Sequence, residues 1–84
     1  MDNWLDELAR TLGEEPLSAA EITELLDVGR DVAHRVERKN TPLSAFVIGT
    51  AVGRQLAGGA ERAKTLNATL MRVQPLIPPE TSES

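Results

Sequence analysis

The sequence predicts an all-α protein: a compact bundle of four helices at about residues 3–12, 18–37, 42–56 and 60–72, with a disordered C-terminal tail. Three observations carry that prediction. Apolar residues recur at three- and four-residue spacing in four separate segments, each giving one apolar helix face. Runs of β-branched and aromatic residues at period two are missing, and Trp4 and Phe46 are the only aromatics, so the core must come from Leu, Val, Ile and Ala. Helix starts and stops are also written locally, at Ser18-Ala-Ala-Glu21, at Thr41-Pro42, at Gly13 and at Gly58-Gly59.

The first helix takes Asp2 or Asn3 as its cap and places Asp6 and Glu7 in its first turn, where the helix dipole favours anions. Trp4, Leu5, Leu8 and Leu12 share one stripe, and Trp4 reads as a core anchor. Gly13 stops this helix, and Glu14-Glu15-Pro16-Leu17 connects it to the next. Ser18 and Glu21 then form a capping box. Ile22, Leu25, Leu26, Gly29, Val32, Ala33 and Val36 keep the helical rhythm, with Gly29 placed for close packing against another backbone. The opposite face carries Asp27, Asp31, His34 and Arg38, and His34 can pair with Asp31.

Thr41 is a natural N-cap for the third helix, and Pro42 suits its first position. Leu43, Phe46, Val47 and Thr50 lie on one side, and Ala45, Ile48, Gly49, Val52 and Leu56 on another. A helix apolar on both sides belongs in the middle of a bundle. Ala45, Gly49 and Gly53 recur every four residues, a ridge that predicts tight helix contact. After Gly58-Gly59, the fourth helix shows Ala63, Leu66, Leu70 and Val73 on one face. The reading gives a single domain over 1–73 and a Pro-rich flexible tail over 74–84, with Leu76 and Ile77 as the tail residues suited to docking.

Eighty-four residues bury one modest core. The net charge of −4 is unevenly spread: residues 1–28 hold eight acids and one base, residues 29–64 seven bases and three acids. That asymmetry suits a partner of complementary charge, or attraction between the helices themselves. An acidic chain without stacking aromatics argues against bulk nucleic-acid binding. The absence of cysteine removes disulfides, thiolate metal sites and thiol nucleophiles, and suits a reducing cytoplasm. The start Met-Asp-Asn-Trp is acidic where a signal peptide is basic, and the uncharged run from Asn40 to Gly53 is too short for a bilayer.

Reactive constellations are hard to assemble from these residues. The glycines follow no strand and make no phosphate loop. One histidine and scattered carboxylates lack metal-ligand spacing. Thr41 and Ser44 stand near His34 in sequence, but helix-start roles account for both. The reading is therefore a non-enzyme with no catalytic residue, no metal and no cofactor. What remains is a polar corner where helix two ends and helix three begins. Asp31, His34, Arg35, Arg38 and Lys39 supply charge, and Thr41 and Ser44 mark the helix start, a setting suited to a phosphate or a partner carboxylate.

Asp31-Val-Ala-His34, followed by Val36, Arg38, Thr41-Pro42-Leu43, Phe46, Gly49 and Gly53-Arg54, resembles a small helical domain of unknown function from actinobacteria. Members open with an acidic Trp-containing helix, here Asp2-Asn3-Trp4-Leu5, and the likeness covers about residues 2–72. Ser44-Ala45 replaces two threonines of the family pattern. Such domains occur alone or fused to the guanylyltransferase that adds GMP to molybdopterin. The resemblance therefore implies a non-enzymatic accessory of molybdenum-cofactor (molybdopterin-guanine dinucleotide) biosynthesis, with that transferase as partner. The alternative is a small anion-, nucleotide- or pterin-binding module using the corner. Both readings place the protein in the cytoplasm, away from membrane and nucleic acid, and a homo-oligomer is compatible with either.

Overall fold

Every helix boundary marked in the sequence is used to within two residues in the computed structural model, which describes residues 4–79. The helices are α1 (Trp4–Thr11), α2 (Ala19–Arg35), α3 (Asn40–Ala57) and α4 (Arg62–Val73), followed by a 3-10 turn at Gln74–Leu76. No strand occurs among the described residues. The proposed Asp2 or Asn3 cap and the tail beyond Pro79 lie outside them.

Local chemistry explains most of these ends. The Glu21 N–H donates to Ser18 Oγ at 3.1 Å and the Ser18 N–H donates to Glu21 Oε1 at 2.9 Å, so the capping box is complete. Gly13 (φ 76°) and Gly59 (φ 102°) close α1 and α3 in the left-handed region, which a side chain at either position would strain. The following amides, Glu14 and Ala60, reach back to the carbonyls of Ala9 and Gln55.

The start of α3 departs from the expected pattern. The helix begins at Asn40, with Lys39 at the cap, so Thr41 is not the N-cap and Pro42 is its third residue. The Thr41 hydroxyl turns instead onto the Gly29 carbonyl of α2 at 3.4 Å, which removes it from capping duty. A proline is tolerated there because amides of the first turn have no intrahelical acceptor.

The core is small. Val28 and Val32 from α2, Ile48 and Val52 from α3, Leu66 and Leu70 from α4, and Ile77 beyond the 3-10 turn form one buried cluster. Leu25, Leu56 and Val73 pack against its edge. Docking of the segment after α4 therefore falls to Ile77, while Leu76 stays exposed. Gly29 does not seat another backbone: a Cβ built there would meet only the Thr41 side chain, at an ordinary 3.5 Å from Cγ2.

Three expectations about faces are corrected. On α2 the buried side is Glu21, Val28 and Val32, while Leu26 and Val36 are exposed. The burying face is thus rotated by roughly 80–90° from the apolar stripe, at about 100° per residue. On α3 only Ile48 and Val52 are buried; Leu43, Phe46 and Val47 face solvent, so the helix has no neighbour on that side. Trp4 is no core anchor, being 70% exposed, and α1 buries none of its residues. For Trp4 the cause is that α1 stands away from α2, α3 and α4, which pack on one another without it.

The glycine ridge of α3 is likewise not a packing seam. A Cβ at Gly49 or at Gly53 would have no atom within 4 Å. Gly49→Ala and Gly53→Ala should therefore each stabilise the protein by about 0.4–1 kcal/mol, by reducing the freedom of the unfolded chain. Urea melts of the two variants check this, and a lowered midpoint would show that the ridge is in contact after all.

Candidate functional site

The space left between α1 and the three packed helices is a groove of about 470 Å³. Leu5, Leu8 and Leu12 of α1 form one wall; Ala45, Gly49 and Gly53 of α3 form the other. Its floor includes Leu25, Ile48, Val52 and Leu66, so the lining is largely aliphatic. The volume falls in the range of small-ligand pockets, roughly 300–1,000 Å³. Leu5 and Leu12, like Gly49 and Gly53, are exposed, so the groove opens to solvent between its walls.

One polar cluster stands at the end of this groove. Glu21, 4% exposed, meets Arg62, the first residue of α4. Arg62 Nε donates to Glu21 Oε2 at 2.8 Å and Nη2 donates to Oε1 at 2.7 Å, a forked charge-assisted pair. The same guanidinium donates to the carbonyls of Glu15 and Pro16, each at 2.7 Å. Arg62 thereby ties the α1–α2 connector, the start of α2 and the start of α4 together. The hydrogen bonds from Arg62 hold the Glu21 carboxyl below the usual carboxylate range, and Glu21 raises the Arg62 pKa in turn. With both Glu21 oxygens already accepting, the cluster is committed to holding the fold.

Sequence reasoning found Glu21 as a capping residue but missed its second partner and missed Arg62 altogether. Glu21 and Arg62 are 41 positions apart, and no local spacing joins them. The available signal was a glutamate at the third position of a helix on the same side as Leu25, Val28 and Val32, where a buried acid requires a cation.

The basic corner lies at the other end of α2. Asp31 pairs with Arg35 at 3.8 Å and not with His34, which is exposed. Arg38 and Lys39 are exposed as well, and Lys39 stands 3.7 Å from Glu37. The Ser44 hydroxyl donates to the Thr41 carbonyl at 3.0 Å, and the Thr41 hydroxyl to Gly29. Asn40 and Thr41 amides donate to the Glu37 and Arg38 carbonyls. Pro42 has no N–H, and with Lys39 at the cap, Leu43 is the first residue whose amide meets an intrahelical carbonyl. The corner thus brings His34, Arg38 and Lys39 to the surface, with the nearby backbone and hydroxyl donors engaged locally.

No group of three or more His, Cys, Asp or Glu among the described residues could hold a metal ion. No described helix is long and apolar enough to cross a membrane.

Fold and site together define a small all-α domain with a thin core, an open aliphatic groove and a basic corner. The chain belongs to the family described as a domain of unknown function, DUF6457, whose model matches residues 1–83. The comparisons with curated proteins and with solved structures gave no match.

Proposed function

We propose that this protein is a non-catalytic helical interaction module. One observation supports this reading above the rest: more large apolar side chains face solvent than are buried. Among the described residues seven apolar ones make the core, whereas eleven large ones are exposed, among them Trp4, Leu43, Phe46 and Met71. Scattered exposed apolar residues are ordinary, but Leu43, Phe46 and Val47 share one exposed side of α3, and Leu5, Leu8 and Leu12 line the groove, and such clustering marks a docking surface. The polar cluster beside the groove has its oxygens occupied by Arg62 and Ser18, which leaves it a structural role.

The partner proposed is the guanylyltransferase that attaches GMP to molybdopterin, on the likeness carried by Asp31-Val-Ala-His34, Pro42-Leu43 and Gly53-Arg54. The same likeness supports a cytoplasmic, actinobacterial setting. In such a pair the transferase performs the chemistry and this chain positions or stabilises it. Tagged protein should retain the transferase on a column and should show no turnover of GTP with molybdopterin when alone. Turnover by the isolated chain would overturn the non-catalytic reading, and a transferase that flows through would overturn the choice of partner.

The corner supports a second reading, binding of a phosphate, nucleotide or pterin, because His34, Arg38 and Lys39 are all exposed within six residues. A folded His34→Ala, Arg38→Ala double variant is expected to weaken binding of the transferase or of GTP at least tenfold if the corner is the contact. Added salt should weaken it further, since exposed charges are screened. Unchanged affinity in both titrations would remove the corner from the binding surface.

A further inference from the structure

We infer that the uncovered faces of α1 and α3 form a two-fold interface with a second copy of this chain, α1 of each protomer lying on α3 of the other. The inference rests on the reading of this protein as an interaction module and names the first partner of its apolar surface.

The exposed set is split between two helices. On α1 it is Trp4, Leu5, Leu8 and Leu12, with Trp4 70% exposed; on α3 it is Leu43, Phe46 and Val47, with Phe46 76% exposed. Scaled from the roughly 150–250 Å² of an aromatic side chain, these seven residues leave about 800 Å² in water. That matches the ~800 Å² each partner contributes to a stable interface of standard size. Within one protomer α1 cannot cover the outer face of α3, because the groove separates the two helices and the Phe46 side points away from the core.

Charge selects the occupant. Over its whole length α3 carries one charged residue, Arg54, and Arg54 falls on the Leu43, Phe46, Val47 side at helical spacing. The apolar stripe of α1 is bordered by exposed Glu7, one turn after Trp4. The asymmetry extends beyond the two helices, since residues 1–28 are strongly acidic and 29–64 basic. A two-fold interface requires each contact to occur twice with the roles exchanged. Laying α1 on the partner copy's α3 satisfies this with acid against base at both sites. Pairing α1 with α1, or α3 with α3, would set like charges together instead. One chain thus carries both halves of a complementary surface.

Sedimentation equilibrium and light scattering of the full chain, from micromolar to sub-millimolar, test the inference. The expected mass is twice 9.1 kDa at the upper concentrations. Emission of the single tryptophan, Trp4, should shift to shorter wavelength as the dimer forms. Phe46→Asp should weaken dimerisation by about 30-fold or more, as loss of an interface anchor does. Arg54→Glu should weaken it up to roughly tenfold, and adding Glu7→Arg should restore it. All three positions are exposed, so the helical circular dichroism of these variants should be unchanged. A 9.1 kDa mass at every concentration overturns the inference, as does a dimer indifferent to Phe46→Asp. A monomer that still retains the guanylyltransferase through Phe46 also overturns it, while leaving the interaction-module reading intact. Failure of Glu7→Arg to rescue Arg54→Glu overturns the crossed arrangement.

Discussion

Arg62→Ala is expected to lower the unfolding free energy by about 2–4 kcal/mol. Removing one member of a buried ion pair leaves the other charge uncompensated, which costs about 3–5 kcal/mol when burial is complete. Glu21 is 4% exposed, but Arg62 retains a quarter of its side-chain exposure and both line the open groove, so the expected loss is set about 1 kcal/mol below that range. The loss is large for a chain whose total stability should be only ~4–13 kcal/mol at ordinary per-residue values. It also releases the carbonyls of Glu15 and Pro16, so the connector that orients α1 should loosen. Denaturant melts would show the lower midpoint, and hydrogen exchange should rise first in the connector and α1.

The pair carries a pH dependence whose sign is fixed. The folded Glu21 carboxyl lies below its ordinary range, so between the folded pKa and about 4.3 the unfolded chain binds the extra proton. Its contribution is therefore complete above the ordinary carboxylate pKa and is lost as the pH falls through the folded value. Glu21→Gln removes this titration. Stabilities of wild type and Glu21→Gln measured from pH 7 down to 2 should converge on the acid side. A constant difference across that range would show that the folded Glu21 carboxyl is not held below its ordinary range.

The second large effect concerns Ile77. Ile77→Ala should cost about 2–3 kcal/mol, the lower end for truncating a buried aliphatic residue, because Ile77 at 9% exposure sits at the core's rim. Ending the chain after Gln74 should cost at least as much, since it also removes the 3-10 turn that presents this residue. Leu76→Ala is the control: its side chain is exposed, and its midpoint should stay within about 0.5 kcal/mol of wild type. A truncated chain as stable as the full one would show that the fold ends with α4.

The start of α2 and the ends of α1 and α3 were legible because those signals act within five residues. Ser18 and Glu21 satisfy each other's amides, and Gly13 and Gly59 take positive φ, whatever else the chain does. The corner between α2 and α3 was legible as a cluster of charge, and His34, Arg38 and Lys39 are exposed as a solvated face requires. The start of α3 was misjudged because Thr41 had a competing acceptor, the Gly29 carbonyl, twelve residues away. Periodicity also misjudged which face is buried. It counts apolar residues and cannot register that Glu21 goes inside with a cation from α4, or that the stripe of α1 has no wall to lie against.

The sequence by itself determined the all-α class, the four helices, the Ser18–Glu21 capping box and the glycine stops, because hydrogen bonding within a turn and the freedom of glycine are local properties. The tertiary structure decided the rest: that Val28 is core and Leu26 is not, that Arg62 clasps Glu21, that Ile77 closes the core, and that α1 and the outer side of α3 remain uncovered. Burial depends on which elements meet. For a chain this short, three helices and a turn suffice to fill the core, leaving the apolar faces of α1 and α3 outside it.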